Sequence, residues 1–455
     1  MLREVNIICR NGNLRPIDID LVLSANVIKA RFMVKEDEVQ FAIQMPIGEV
    51  NAALGIAAES PEAGEVKRSL PRTCSGKPDP QGNAQIINSR FVLKKAKMIC
   101  AFAFCLLLLH VNGIAQKVVK PIRGTWITNV ASEAMYSKKN IQEAINLCKK
   151  SGINNVYVVV WNKGETMYPS KVVQAYIGVK QAKVFGDLDP LKEMIEAGHK
   201  AGIKVHAWFE FGFSYNYGDS NSIWQQRYPH WVGRDMHGSI LQKNNFFWWN
   251  GLHPEVQDFM NKLVLEVVNN YDIDGVQGDD RLPAMPSNGG YDSVTKKIYA
   301  NEHAGAMPPV DYKDTAWVQW RANKLSAYIK QLYRAVKALK PGCVVSWAPS
   351  IYPWSKEQYL QDWPAWLNGG YADYILPQLY RYDIKAYKKI IDELNTQVTK
   401  AQKSRIVPGI LTALGDGYLV KKELLQQMID YNRKNGYSGE CSFYFETLKR
   451  LGGYY

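Results

Sequence analysis

Tryptophan and tyrosine are missing from the first 115 of 455 residues, although the chain holds 13 Trp and 26 Tyr, beginning with Trp126 and Tyr136. A folded domain seldom runs that far without either, so the first quarter is a different kind of sequence from the rest. Cysteine is also scarce. Four of the seven precede residue 106, leaving Cys148, Cys343 and Cys441. An odd number without close spacing forms neither a disulfide framework nor a metal loop, so these read as small buried hydrophobes. No apolar run approaches the roughly 20 residues of a membrane-crossing helix. Nor is there a block of one charge. The formal net charge is +13, but Lys and Arg fall singly or in pairs such as Lys149-Lys150 and Lys421-Lys422. That describes a solvated basic surface more than a nucleic-acid groove. With 46% hydrophobic and 22% charged residues, disorder, fibre and polytopic membrane classes are excluded.

The longest apolar run, 98–109, follows a basic stretch ending at Lys97 and precedes Gly113-Ile-Ala115. A basic segment, about a dozen apolar residues and small residues at the −3 and −1 positions make a cleavable export signal, expected over 93–115. Because such signals act at an N-terminus, residues 1–92 are expected to be an over-extended start or a disordered extension; a small genuine domain is the alternative. The mature portion, 116–455, is then exported, periplasmic or secreted, with no membrane span left after cleavage.

That portion alternates apolar runs with amphipathic stretches. Strands are expected at 124–130, 155–161, 204–211, 275–279, 344–348, 374–379, 406–411 and 439–445. Helices are expected at 139–151, 190–201, 254–271, 317–339, 356–367, 384–403 and 421–435. Runs such as Val156-Tyr-Val-Val-Val160 are apolar throughout, as in parallel strands covered on both faces. Eight β/α repeats predict a (β/α)8 TIM barrel of the α/β class. An open doubly wound sheet is the runner-up, but no glycine-rich phosphate loop follows the first strand. Long inserts follow strand 3 (212–250) and strand 4 (281–315), on the face where barrel active sites lie.

Functional residues of a barrel sit at the C-terminal ends of its strands. Those ends hold Asn129, Trp161, Glu210, Asp279, Asp280, Trp347, Gln378, Tyr380, Arg381 and Glu446. Carboxylates perform the acid, base or nucleophile work of glycoside cleavage. Aromatic faces stack on sugars. Asp279 and Asp280 repel one another, which can leave one protonated and the other ionised. Alternatively, one caps the next segment or pairs with Arg281. The surroundings lack the spaced oxygens of a calcium loop. His206, Trp208 and Glu210 share one strand face. Glu210 reads as catalytic, substrate-binding or structural, and His206 as a hydrogen-bonded core residue. Glu446 is either a further site carboxylate or a helix-start residue. Trp161, Trp208, Asn129, Gln277, Arg281, Trp347, Gln378, Tyr380 and Arg381 are expected to contact substrate. The aromatics Tyr215, Tyr217, Trp224, Trp231, Phe246, Phe247, Trp248 and Trp249 are expected to divide between a glycan cleft and local core. No metal or cofactor is implied.

Arg123-Gly-Thr-Trp126, His206-Ala-Trp208-Phe, His253-Pro-Glu-Val-Gln-Asp-Phe, Tyr271-Asp-Ile-Asp-Gly-Val-Gln-Gly-Asp-Asp280 and Pro377-Gln-Leu-Tyr380 together resemble the glycoside hydrolase-like family 10. The likeness spans about 123–448. It implies an exported barrel enzyme acting on a polysaccharide, with relatives that cut peptidoglycan glycan strands. Arg281-Leu-Pro replaces the aromatic common after the aspartates, and Glu210 stands where many relatives have Asn. The aspartate pair matches the family pattern, so its role carries over best, and Asp279, Asp280 and Glu210 are expected to cleave O-glycosidic bonds. A non-catalytic carbohydrate-binding barrel is the rival.

Overall fold

The computed structural model describes residues 121–453 except 416, together with the backbone of four earlier strands. The chain divides into two compact units, Met1–Asn112 and Gly113–Tyr455. In the first, Ile7–Cys9, Arg15–Leu23, Asn26–Lys35 and Glu38–Ile43 pair consecutively as an antiparallel sheet. The expected export signal at 93–115, and the rest of the expected N-terminal extension, lie outside the described residues.

In the second unit eight parallel strands form the barrel. They are β1 (Ile122–Ile127), β2 (Asn155–Val159), β3 (Lys204–Phe209), β4 (Gly275–Gly278), β5 (Val344–Trp347), β6 (Tyr374–Ile375), β7 (Gly409–Leu411) and β8 (Gly439–Phe443). Their hydrogen-bonded order is 6-5-4-3-2-1-8-7. Parallel bridges Ile375↔Ile406 and Gln378↔Gly409 join the two ends and close the cylinder. Closure leaves no exposed edge, and both faces of each strand are covered. All five residues of β2 are buried.

The outer helices include α1 (Lys138–Lys150), α2 (Pro190–Ala201), α3 (Pro254–Asn270), α4 (Thr315–Leu339), α5 (Trp363–Gly369), α6 (Ile384–Gln397) and α7 (Lys422–Lys434). Their starts follow local chemistry. Asp189 accepts from the Lys192 amide at 3.0 Å, with Pro190 in the first turn, and Gly202 at φ 76° ends α2. A side-chain cap of this kind contributes about 1 kcal/mol. On α3, Val256, Phe259, Met260, Leu263, Val264 and Val267 form the face pressed against the sheet.

The expected helix at 356–367 is two pieces, Trp354–Tyr359 and α5. Leu360 ends the first at φ 60°, and Pro364 has no amide to carry the helix on. The ladder of β6 is short for a related reason, since Pro377 interrupts it. Helices Lys171–Ile177 and Ser293–Glu302 were not expected from periodicity. In the strand-3 insert a three-stranded sheet, Ser214–Tyr217, Phe246–Trp248 and Gln242–Lys243, frames the barrel mouth. Most of its aromatics are core. Tyr215, Trp224, Trp231, Trp248 and Trp249 are buried, whereas Tyr217 is 45% exposed. The expected division thus falls mainly on the core side: Trp224 and Trp249 pack edge to face at 5.1 Å in a cluster that also includes Trp161 and Phe259.

Candidate active site

Four aspartates lie close together between Tyr271 and Arg281, and the strand sends them to opposite ends of the barrel. Before β4, Asp272 is 3.0 Å from the Lys340 ammonium, and Asp274 accepts from the Val205 amide and lies 2.9 Å from His199 Nε2. These fasten the floor. After β4 come Asp279 and Asp280, at the C-terminal mouth. Glu210 follows the neighbouring β3, whose Phe209 is in register with Gly278. Gly278 is required there, since a Cβ would lie 2.4 Å from the Leu282 carbonyl oxygen and 2.6 Å from the Trp347 ring.

Arg281 joins the three carboxylates. Its Nη2 donates to Asp279 Oδ2 at 3.1 Å and lies 3.6 Å from Glu210 Oε1. Its Nη1 is 2.7 Å from Asp280 Oδ1, a charge contact without hydrogen-bond alignment. Its Nε donates to the Glu210 carbonyl at 3.0 Å. The guanidinium stacks over Phe246 at 4.6 Å and Phe211 at 5.2 Å. Arg281, expected to contact substrate, thus has its donors directed at the carboxylates.

Other groups fix the acids. Gln378 Nε2 donates to Asp279 Oδ1 at 2.8 Å and to the Ala348 carbonyl at 3.1 Å. Asn162 Nδ2 donates to Glu210 Oε2 at 2.6 Å, and the Thr128 hydroxyl lies 3.5 Å from the same oxygen. Neither Asn162 nor Thr128 was foreseen. Asn162 stands one residue beyond an expected strand end, which was the available signal.

Three carboxylates share one guanidinium in a poorly hydrated setting, so full ionisation is disfavoured. Burial raises the Glu210 carboxyl, opposed by Arg281 and the Asn162 hydrogen bond. Burial and then the charge of Asp280 push Asp279 well above the ordinary carboxylate range. Burial also raises Asp280, against Arg281. The coupled acids can hold a proton between them while a neighbour stays ionised. A proton donor beside a carboxylate is the pairing that glycoside cleavage requires. Asp280 keeps a quarter of its side chain exposed, the most of the three acids. Tyr380 also belongs here. Burial and the Asp279 charge raise its phenol well above the usual range, and its ring stacks beside Phe443 at 5.5 Å.

Other expected substrate contacts fall elsewhere. Gln277 is fully buried inside the barrel, accepting from Trp126 Nε1 at 2.7 Å and donating to Ser346 Oγ at 3.1 Å. Trp208 is buried beside Trp126. Trp161 donates to the Gly212 carbonyl within the insert core, and Trp347 donates to the Tyr371 carbonyl beneath α5. Asn129 is half-buried in the loop after β1, where its carbonyl accepts from Tyr136. Arg381 donates to the Tyr380 carbonyl. Glu446 opens the short helix Glu446–Leu451, accepting from Ser132 at 2.6 Å with Lys449 at 3.4 Å. His206 is a neutral core residue: burial lowers it to about 4, and Nε2 meets Asn155 at 2.9 Å. Among the described residues no His, Cys, Asp and Glu cluster is placed to hold a metal ion, and no helix is long and apolar enough to cross a membrane.

Comparison with known proteins finds similar chains over the barrel unit. Glycosyl hydrolase DigH of Escherichia coli (strain K12) is 26% identical over 344 residues, covering 65% of this chain and 74% of that protein. Glycosyl hydrolase YngK of Bacillus subtilis (strain 168) is 27% identical over 322 residues, 61% of this chain and 58% of YngK. Among solved structures, the PgaB (BpsB) glycoside hydrolase domain from Bordetella bronchiseptica shares the fold at TM-score 0.56 and 12% identity, covering 72% of this chain and 96% of that domain. The catalytic domain of beta-amylase from Paenibacillus polymyxa gives 0.51 at 12% identity, over 72% and 92%. The family model described as glycosyl hydrolase-like 10 matches residues 121–427, from the first barrel strand into α7, and the chain belongs to that family.

Proposed function

We propose that the protein is an exported glycoside hydrolase cleaving O-glycosidic bonds of an amino-sugar polysaccharide such as peptidoglycan. The observation that carries this is the convergence of Glu210, Asp279 and Asp280 on Arg281 at the barrel mouth. Asp279, held by Gln378 and Arg281, protonates the departing glycosidic oxygen. Asp280 or Glu210 then either attacks the anomeric carbon, activates a water, or orients an N-acetyl group that attacks its own anomeric carbon. Tyr380, beside Asp279, lines the sugar site. No cofactor takes part.

Asp279→Asn, Asp280→Asn and Glu210→Gln are to be assayed for reducing-end release from peptide-free glycan strands. Loss of about 10²-fold or more in the Asp279 variant is expected, in the range of a general acid. Full activity in all three variants overturns the proposal. One observation favours a second reading, a carbohydrate-binding barrel without catalysis, because Arg281 partly neutralises the acids it touches. Glycan binding by the unmodified protein without new reducing ends selects that reading. Export is tested by N-terminal sequencing of the secreted chain. A start near residue 116 supports it, and a start near Met1 refutes it.

A further inference from the structure

In the strand-3 insert one cation, Lys243, forms no ion pair among the described residues. The turn Asn244-Asn245, with φ of 52° and 62°, closes a two-residue hairpin that sets Lys243 directly opposite Phe246. Phe246 carries the Arg281 guanidinium. Lys243 reaches the next element: its Nζ lies 4.5 Å above the Tyr359 ring and donates to Gln358 O at 3.1 Å and Oε1 at 2.8 Å. Tyr359 in turn feels the charges of Asp280 and Arg281.

An ammonium has three donors, and Gln358 takes two. No carboxylate among the described residues forms an ion pair with Lys243, and burial alone lowers it to about 8. A partly desolvated cation without a counter-charge is costly, which is unusual for a residue with no ligand. Two carboxylates border the cleft, Asp235 and Glu357, and neither forms an ion pair with Lys243; Asp235 Oδ1 accepts from the amides of His237 and Ser239, each at 2.9 Å.

Lys243 also lines a cavity of about 410 Å³ with Asp235, Gln242, Asn288 and Tyr312. A second cavity of about 520 Å³, bordered by Gln319, Tyr352 and Lys356, shares Ser287, Tyr312 and Gln358 with the first. Each falls within the roughly 300–1,000 Å³ of small-molecule clefts. Tyrosine rings suit sugar faces, and the amide and hydroxyl side chains suit sugar hydroxyls.

We infer that this two-lobed cleft is an outer glycan subsite in which Lys243 binds a carboxylate carried by a sugar unit beyond the scissile bond. The inference rests on the proposed glycan substrate and narrows it to an acidic glycan. The carboxylate can belong to a lactyl ether on an amino sugar or to C6 of a uronic acid.

The full chain and its Lys243→Gln and Lys243→Arg variants are to be titrated calorimetrically with two probes. One is peptide-free peptidoglycan oligosaccharide, the other oligogalacturonate, each compared with its carboxyl-reduced form. The unmodified protein should bind the acidic form of one probe roughly ten- to hundredfold more tightly than the reduced form, as one charge-assisted hydrogen bond would give. The probe that shows the preference identifies the source. Lys243→Gln should erase it by weakening only the acidic form, and Lys243→Arg should restore most of it. Equal affinity for both forms of both probes overturns the inference, as does equal weakening of acidic and reduced forms in Lys243→Gln. Reducing ends are counted in the same samples. Carboxylate preference without hydrolysis leaves the subsite standing and removes the hydrolytic reading.

Discussion

Replacing Arg281 by Met tests the electrostatic argument most directly. Met keeps an unbranched stem beside Phe211 and Phe246 but removes the charge that Glu210, Asp279 and Asp280 share. Removing one partner of a buried ion pair typically costs about 3–5 kcal/mol. For a chain this long that is on the order of 10 °C in Tm. The pH dependence carries the diagnosis. All three carboxyls lie above their ordinary values in the folded protein. Such groups bind more protons folded than unfolded, so their stabilising contribution is complete below about pH 4 and falls as pH rises through the folded values. Without Arg281 the folded values climb further, and the deficit of the variant should widen from pH 5 to pH 8. Melting followed by near-ultraviolet circular dichroism across that range measures it. A deficit that is the same at pH 5 and pH 8, or larger at pH 5, refutes the reasoning.

Further outcomes follow from other contacts. Gln378→Leu removes the donor on Asp279 Oδ1 that favours the ionised carboxylate, so the alkaline limb of the pH–rate profile should move up, with kcat lowered about tenfold; an unmoved limb contradicts this. Arg321 is buried on α4 and donates to the carbonyls of Ser287, Gly289, Tyr312 and Trp317. Arg321→Met strands those carbonyls and should cost about 3 kcal/mol in urea unfolding, with faster proteolysis within 281–315; an unchanged transition counts against it. His206 titrates with the opposite sign to the acid cluster. Its folded value is depressed, so its contribution is present above about pH 6.5 and is lost toward pH 4, by up to about 3 kcal/mol. Asn155→Ala in parallel with His206→Gln should show that only the histidine variant flattens stability over that window.

Periodicity made the barrel legible because strands such as β2 are apolar on both faces and the helices on one. It also placed Glu210, Asp279 and Asp280 at the C-terminal ends of β3 and β4. Depth within the cylinder was not legible. Gln277 and Trp208 lie opposite one another on adjacent strands, yet both belong to a buried layer below the acids. Trp161 and Trp347 end strands, but the inserts and α5 cover them. Asn162 and Thr128 are short polar residues without a local signature; only the packing of three strands makes them partners of Glu210. Lys243 was hidden for a similar reason, since its environment is made by Gln358 and Tyr359, 115 residues away and beyond.

The seam between β6 and β7 has a mechanistic consequence. It is held by two isolated bridges, and one of them is made by Gln378, the residue that also grips Asp279. Breathing of the cylinder at this short seam therefore loosens the clasp on Asp279. Integrity of the scaffold and the seating of Asp279 are one variable at that residue, so under the proposed hydrolysis warming would silence activity before the helices melt.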